Sequence, residues 1–192
     1  MGEGRPSYDC KEILEVYASR PDLRDQPIPD PDFLDINGTS LVKQGQQPSG
    51  CAVVMEETII EASSLPSHWS AQRVKLYALI HALQLSKGKK TNVYTDSRYI
   101  FATLLVHGAL YKERGLLTAN KKDIKNKEEI LTLLDAVWEH EKVALMDCWS
   151  HQKEDTPQTW GNQLADKAAK HVAEKFGLLV GDLSKPLYSQ NA

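Results

Sequence analysis

Asp96 closes the segment Asn92-Val93-Tyr94-Thr95-Asp96, and Asp166 lies in Gly161-Asn162-Gln163-Leu164-Ala165-Asp166. A carboxylate at a strand end and another on a late helix are hard oxygen donors of the kind that hold a divalent cation. Two acids alone are a weak signal, because most carboxylates are solvated surface charge. Ser97, Arg98 and Tyr99 follow Asp96 at a predicted helix start, where backbone N–H groups and a basic side chain can receive a phosphate. Tyr99 reads equally well as a core aromatic or as a stacking platform. Lysines cluster at Lys87, Lys89 and Lys90, and again at Lys121, Lys122, Lys125 and Lys127; each cluster is either a local basic patch or an ordinary solvated face.

Hydrophobic periodicity supplies the elements that must carry these groups. Phe33–Lys43, interrupted by Asn37-Gly38, then Cys51–Glu57 and Thr58–Ser64 read as strands, the last two close enough for a hairpin. Ser70 is a candidate N-cap for a helix over 71–86, where Leu76, Leu79, Ile80 and Leu83 share one face. Lys75 sits at the margin of that face, with a stem long enough to reach solvent. Thr91–Thr95 reads as a buried strand, 97–106 and 127–139 as helices, and Val143–Trp149 as a strand. A short charged helix is expected over 109–114. Thr156-Pro157 opens a last helix to about Phe176, proline being well placed at the first helical position. The order β-β-β-α-β-α-α-β-α predicts an α/β fold, a mixed sheet with helices on its faces.

The 192 residues accommodate one domain of about 150 residues plus flanking segments. Residues 1–31, where five of the nine prolines fall, read as an extension with a possible short helix over 11–18 and a linker from Pro21 to Pro31. The globular unit is expected over 32–176, with a tail at 177–192 that carries no signal. No apolar run approaches the roughly 20 residues that span a bilayer, so no membrane partner is expected. Cys10, Cys51 and Cys148 match no zinc pattern; with no secretory signal they read as reduced thiols of an intracellular protein, Cys51 as a buried inert one. A net charge of −3 argues against a chain-wide grip on nucleic acid, though not against local patches.

Several segments together resemble the ribonuclease H domain of gammaretroviral reverse transcriptases. They are Ser70-Ala71-Gln72-Arg73; Asn92 to Tyr99 with Phe101-Ala102-Thr103; Arg114-Gly115-Leu116-Leu117-Thr118 with Ile124-Lys125-Asn126-Lys127; and His151-Gln152-Lys153 followed by Gly161-Asn162 and Ala165-Asp166. The resemblance runs from about Arg20 to Ala173 and implies a ribonuclease H-like fold with a five-stranded mixed sheet. It also implies cleavage of the RNA strand of an RNA–DNA hybrid with two magnesium ions, which stabilise the attacking water and the leaving oxygen. Four carboxylates hold those ions in the family. The matching positions here are Asn37, Lys75, Asp96 and Asp166, and only the last two keep the acid. Four negative charges become a net of one. At 4 Å two unit charges interact by about 4 kcal/mol at an effective dielectric near 20, so the Lys75 cation competes directly with a divalent ion. Asp35 shares the strand face of Asn37 but is displaced by ~6.6 Å, too far to replace it without a bulge. An ammonium at Lys75 is instead expected to approach Asp96 or Asp166 in place of the lost metal.

The same resemblance assigns His151 to a mobile loop near the scissile phosphate and Asn162 to the same cleft, although without metals both also read as plain structural residues. The segment 107–127 matches a basic protrusion that grips the hybrid in the family; it keeps Lys112, Arg114, Lys121, Lys122, Lys125 and Lys127, with Glu113 and Asp123 interrupting. The expectation is a catalytically inactive domain of retroviral ancestry, retained beside other domains of a larger host protein. It needs no cofactor and binds an RNA–DNA hybrid or duplex weakly. A protein-interaction or scaffold role is the alternative, and an active metal-dependent hybrid ribonuclease is a third.

Overall fold

A computed structural model describes residues 22–40, 45–107, 121–148, 157–175 and 178–181. The elements in chain order are β1 (Asp32–Ser40), β2 (Ser49–Met55), β3 (Thr58–Leu65), α1 (Ala71–Leu85), β4 (Lys90–Thr95) and α2 (Arg98–Ala102). A π-helical turn over Thr103–His107 continues α2; α3 (Lys127–Trp138), β5 (Lys142–Asp147), α4 (Pro157–Lys175) and β6 (Leu178–Gly181) follow. The strands lie in the order β5-β4-β1-β2-β3-β6. β1 runs antiparallel to β2 and parallel to β4, and β4 runs parallel to β5. All five expected strands are present in one mixed sheet. The sixth, β6, comes from the tail expected to carry no element: its run Leu178-Leu179-Val180 pairs antiparallel with β3 and covers an edge that would otherwise be open. The expected helices at 11–18 and 109–114 fall outside the described residues.

The two faces of the sheet are packed differently. On one, Leu34, Ile36, Val53, Val93, Val143 and Leu145 meet Leu76, Leu79 and Leu83 of α1, Ile100 of α2 and Ile130, Leu133 and Val137 of α3. On the other, Ala52, Val54, Ile59 and Ala62 meet Ala165, Ala168, Ala169 and Val172 of α4. That helix face is almost all small residues, so α4 lies very close to the strands. Gly50 marks the tightest point: a Cβ there would overlap the Ala169 carbonyl and lie 2.9 Å from the Ala173 nitrogen.

The part of the second face that α4 leaves uncovered, at Tyr94, Ala144 and Met146, is closed by Ile28. Residues expected to form a linker therefore pack instead. Leu23 and Ile28 are buried, Arg24 bridges to Ala144, and the Leu145 N–H donates to the Arg24 carbonyl at 2.9 Å. The Asn92 side chain clamps Ile28 from both sides, accepting from its N–H at 3.0 Å and donating to its carbonyl at 3.4 Å. Two apolar anchors and these backbone bonds outweigh the segmentation by proline that made the stretch read as extended. Among the described residues no helix is long and apolar enough to cross a membrane.

Gly50→Ala is expected to destabilise the fold by roughly 1–3 kcal/mol, because the added methyl must push helix backbone rather than a flexible side chain. Urea unfolding checks it; an unchanged midpoint would mean that α4 is free to move off the sheet.

Candidate functional site

Gly38 sets the geometry of the site. A Cβ at this position would meet Val74 Cγ1 at 2.9 Å, the Val74 carbonyl at 3.0 Å and the Lys75 nitrogen at 3.1 Å. Only glycine lets β1 come this close to α1, and the contact brings Lys75 beside Asn37. The parallel register of β1 and β4, which pairs Asp35 with Tyr94, then carries Asn37 to the level of Asp96 as the strands continue. Three of the four predicted positions thus converge from three elements.

Asp96 is at the centre of this group. Its Oδ1 lies 3.7 Å from the Lys75 ammonium, and the Asn37 amide donates to its Oδ2 at 3.5 Å. Asn37 is buried, whereas the side chains of Lys75 and Asp96 are 28% and 19% exposed. The ammonium is within ion-pair reach but beyond hydrogen-bond length, and Asp96 Oδ1 has no hydrogen-bond donor among the described residues. Asp166 is engaged within α4, where Lys170, one turn on, donates to its Oδ2 at 2.6 Å.

Asp35 is buried on the same strand face as Asn37, pressed against α4 at Gly161, where any Cβ would overlap its carboxylate. Burial pushes its carboxyl up to about 7. Its Oδ1 and the neighbouring Asn162 Nδ2 have no hydrogen-bond partner among the described residues. Asn162 is 8% exposed, a buried neighbour of Gly161 rather than an open cleft residue. At the end of β5, burial also raises the Asp147 carboxyl, with Asp96 adding repulsion and Arg98 working the other way. Cys148 follows, its N–H donating to the Thr95 carbonyl at 2.7 Å. Burial, then the charges of Asp35, Asp147 and Asp96, push its thiol up to about 12, and the Cys51 thiol is likewise raised to about 11 by burial. Both stay protonated and unreactive near neutral pH.

Ser97, expected as a phosphate contact, is spent within the fold. It is buried as the N-cap of α2; its Oγ accepts from the Ile100 N–H at 3.3 Å, and its own N–H donates to Thr95 Oγ1 at 3.1 Å. Tyr99 takes its core reading: the ring packs against the main cluster and its hydroxyl accepts from Asn126 at 3.4 Å. Arg98 is exposed beside Asp147. The first lysine cluster is a solvated ion-paired face, with Lys87 3.3 Å from Glu139, Lys89 3.0 Å from Asp32 and Lys90 3.4 Å from Glu141. In the second, Lys121, Lys122 and Lys125 are exposed and Lys127 pairs with Asp123 at 3.3 Å. Lys112, Arg114 and His151 lie outside the described residues. Sequence reasoning missed Asp147 and Lys170. The spacing of Lys170 four residues after Asp166 was a usable signal; nothing local marks Asp147.

Residues 36–174 match the RNase H family. The chain is 49% identical over 175 residues to the Gag-Pol polyprotein of Koala retrovirus, covering 91% of this chain and 10% of that polyprotein, so it spans about a tenth of the relative's length. Its fold matches a foamy viral protease-reverse transcriptase in complex with RNA/DNA hybrid, with a TM-score of 0.62 at 18% identity, covering 91% of this chain and 22% of that one. A solution structure of the PFV RNase H domain matches with a TM-score of 0.61 at 19% identity, covering 75% and 94%.

The raised Asp35 carboxyl carries a pH prediction. From 3.8 to about 7 the folded chain holds a proton that the unfolded chain has released, so this group makes stability fall as pH rises through that window and leaves it flat above. Asp35→Asn is therefore expected to stabilise by roughly 1–3 kcal/mol at pH 8 and by little at pH 4. Urea midpoints of both proteins across that range measure it; an equal difference at both ends contradicts the assignment.

Proposed function

We propose, for a chain that belongs to the RNase H family, a domain that holds an RNA–DNA hybrid or a duplex without hydrolysing it. The observation that carries this reading is the state of Asp96. One oxygen faces an ammonium at 3.7 Å and the other an amide N–H at 3.5 Å, so the groups beside Asp96 are a cation and a neutral amide where two magnesium ions need further anionic oxygens.

Two magnesium ions do not fit this donor set. Asn37 offers a neutral amide already turned toward Asp96, Lys75 brings a positive charge, and Asp166 is engaged by Lys170. Among the described residues no three His, Cys, Asp or Glu side chains are placed to hold a metal ion. The buried oxygens without donors, Asp35 Oδ1 and Asp96 Oδ1, are the features that would favour a cation. The Lys75 ammonium already faces Asp96, and the Asp35 carboxylate is pressed against α4 at Gly161.

Nucleic acid as partner is supported by family membership and by the hybrid seen on the foamy viral protein of like fold. Exposed Lys121, Lys122 and Lys125, with Arg98, supply the cations on this chain. Retention in a host protein inside the cell, beside other domains, accounts for a charge-reversing lysine where the family needs an acid. One observation favours a protein-contact role instead: Trp138 and Leu131 of α3 are 54% and 36% exposed, while Lys87, Lys89 and Lys90 are all paired.

Restoring the acids by Asn37→Asp with Lys75→Glu is expected to produce magnesium-dependent hybrid cleavage that the parent chain lacks. Cleavage by the parent chain, abolished by chelator, would remove the proposal. A hybrid titration of the parent at low salt separates the two non-catalytic readings, binding supporting the first and its absence the second.

A further inference from the structure

We propose that Lys75 takes a phosphodiester oxygen of the bound strand directly, so that this domain grips nucleic acid without any divalent cation. The inference rests on the nucleic-acid reading above and specifies the contact at its centre.

Lys75 is suited to the task by position and by what it leaves unused. Its backbone is fixed by the close approach of Gly38, so the side chain starts from a rigid point on α1. The side chain is 28% exposed, and its ammonium stands at 3.7 Å from Asp96, a separation that leaves Asp96 Oδ1 without a hydrogen bond. Lys75 thus faces a carboxylate while its three N–H donors make no hydrogen bond among the described residues and can serve a second acceptor. A phosphate oxygen is an acceptor that a compact ammonium takes in a charge-assisted bond.

Charge balance points the same way. Family sites set four carboxylates against two divalent ions, and a phosphodiester approaching such a site without metal would be repelled. In this chain Lys75 faces Asp96, Lys170 pairs with Asp166, and Asn37 is neutral. With Asp147 set against Arg98, the local side chains nearly cancel with no metal present. A strand phosphate meets no excess negative charge that magnesium would have to screen.

The test is anisotropy of a labelled RNA–DNA hybrid titrated with the full 192-residue chain, in chelator and in magnesium, across a salt series. The parent chain should bind equally in both media. Lys75→Met should weaken binding by about fivefold and lower the slope of log affinity against log salt by about one, as loss of one phosphate contact requires. Lys75→Glu should bind more weakly still in chelator and recover with magnesium. Lys89→Met, which breaks a surface pair with Asp32, is the control and should leave affinity within twofold of the parent. Circular dichroism melts confirm that each variant is folded. Parent binding that needs magnesium, or a folded Lys75→Met with unchanged affinity and salt slope, overturns the inference while leaving nucleic-acid binding intact. No binding by the parent at low salt overturns the nucleic-acid reading and this inference with it.

Discussion

Close backbone approach at Gly38 is the constraint from which the rest of the site follows. Because β1 presses onto α1 there, residue 75 must sit beside residue 37, whatever side chain it bears. The parallel pairing of β1 and β4 adds Asp96 to the same spot. In a fold that forces these three positions together, chemistry depends on charge. An acid at each would repel its neighbours and require a cation; an amide, an ammonium and an acid carry no such repulsion. The ion pair is partly exposed, so its own contribution to stability is modest.

The opposite face follows a similar rule by other means. α4 approaches the sheet through its alanines, over Gly50 of β2 and at its own Gly161, where it buries the Asp35 carboxylate. An acid so placed stays neutral up to about pH 7 instead of acting as a fixed anion. On the proposed reading Asp35 does not replace the acid absent at Asn37: it has the right element and face, but its carboxylate is pressed against α4 at Gly161. The same tight packing leaves Asn162 buried beside it.

Much of this was legible in the sequence, because periodicity and capping are local. The run Leu76, Leu79, Ile80, Leu83 and the Ser70 cap define α1, and the Ser70 hydroxyl does accept from the Arg73 N–H at 3.2 Å. Asn37, Lys75 and Asp96 were found together by matching long segments, which no propensity argument supplies. What stayed hidden depends on tertiary contacts. Leu23 and Ile28 look like isolated apolar residues among prolines until Asn92 and β5 receive them. β6 looks like tail until β3 offers an edge. Ser97 and Tyr99 resemble ligand contacts until their hydrogen bonds are traced to Thr95, Ile100 and Asn126. The raised Asp35 carboxyl depends on Gly161, 126 positions away in the chain.

On the proposed reading, the Lys75 ammonium and the Asn37 amide beside Asp96 keep divalent ions from binding there. Manganese titration of the unmodified chain near pH 7.5, followed by the loss of free-ion electron paramagnetic resonance signal, tests that most directly. Signal loss that stays weak and unsaturated into the millimolar range is the predicted result. Uptake of two equivalents at micromolar free manganese, abolished by Asp96→Asn, would contradict it.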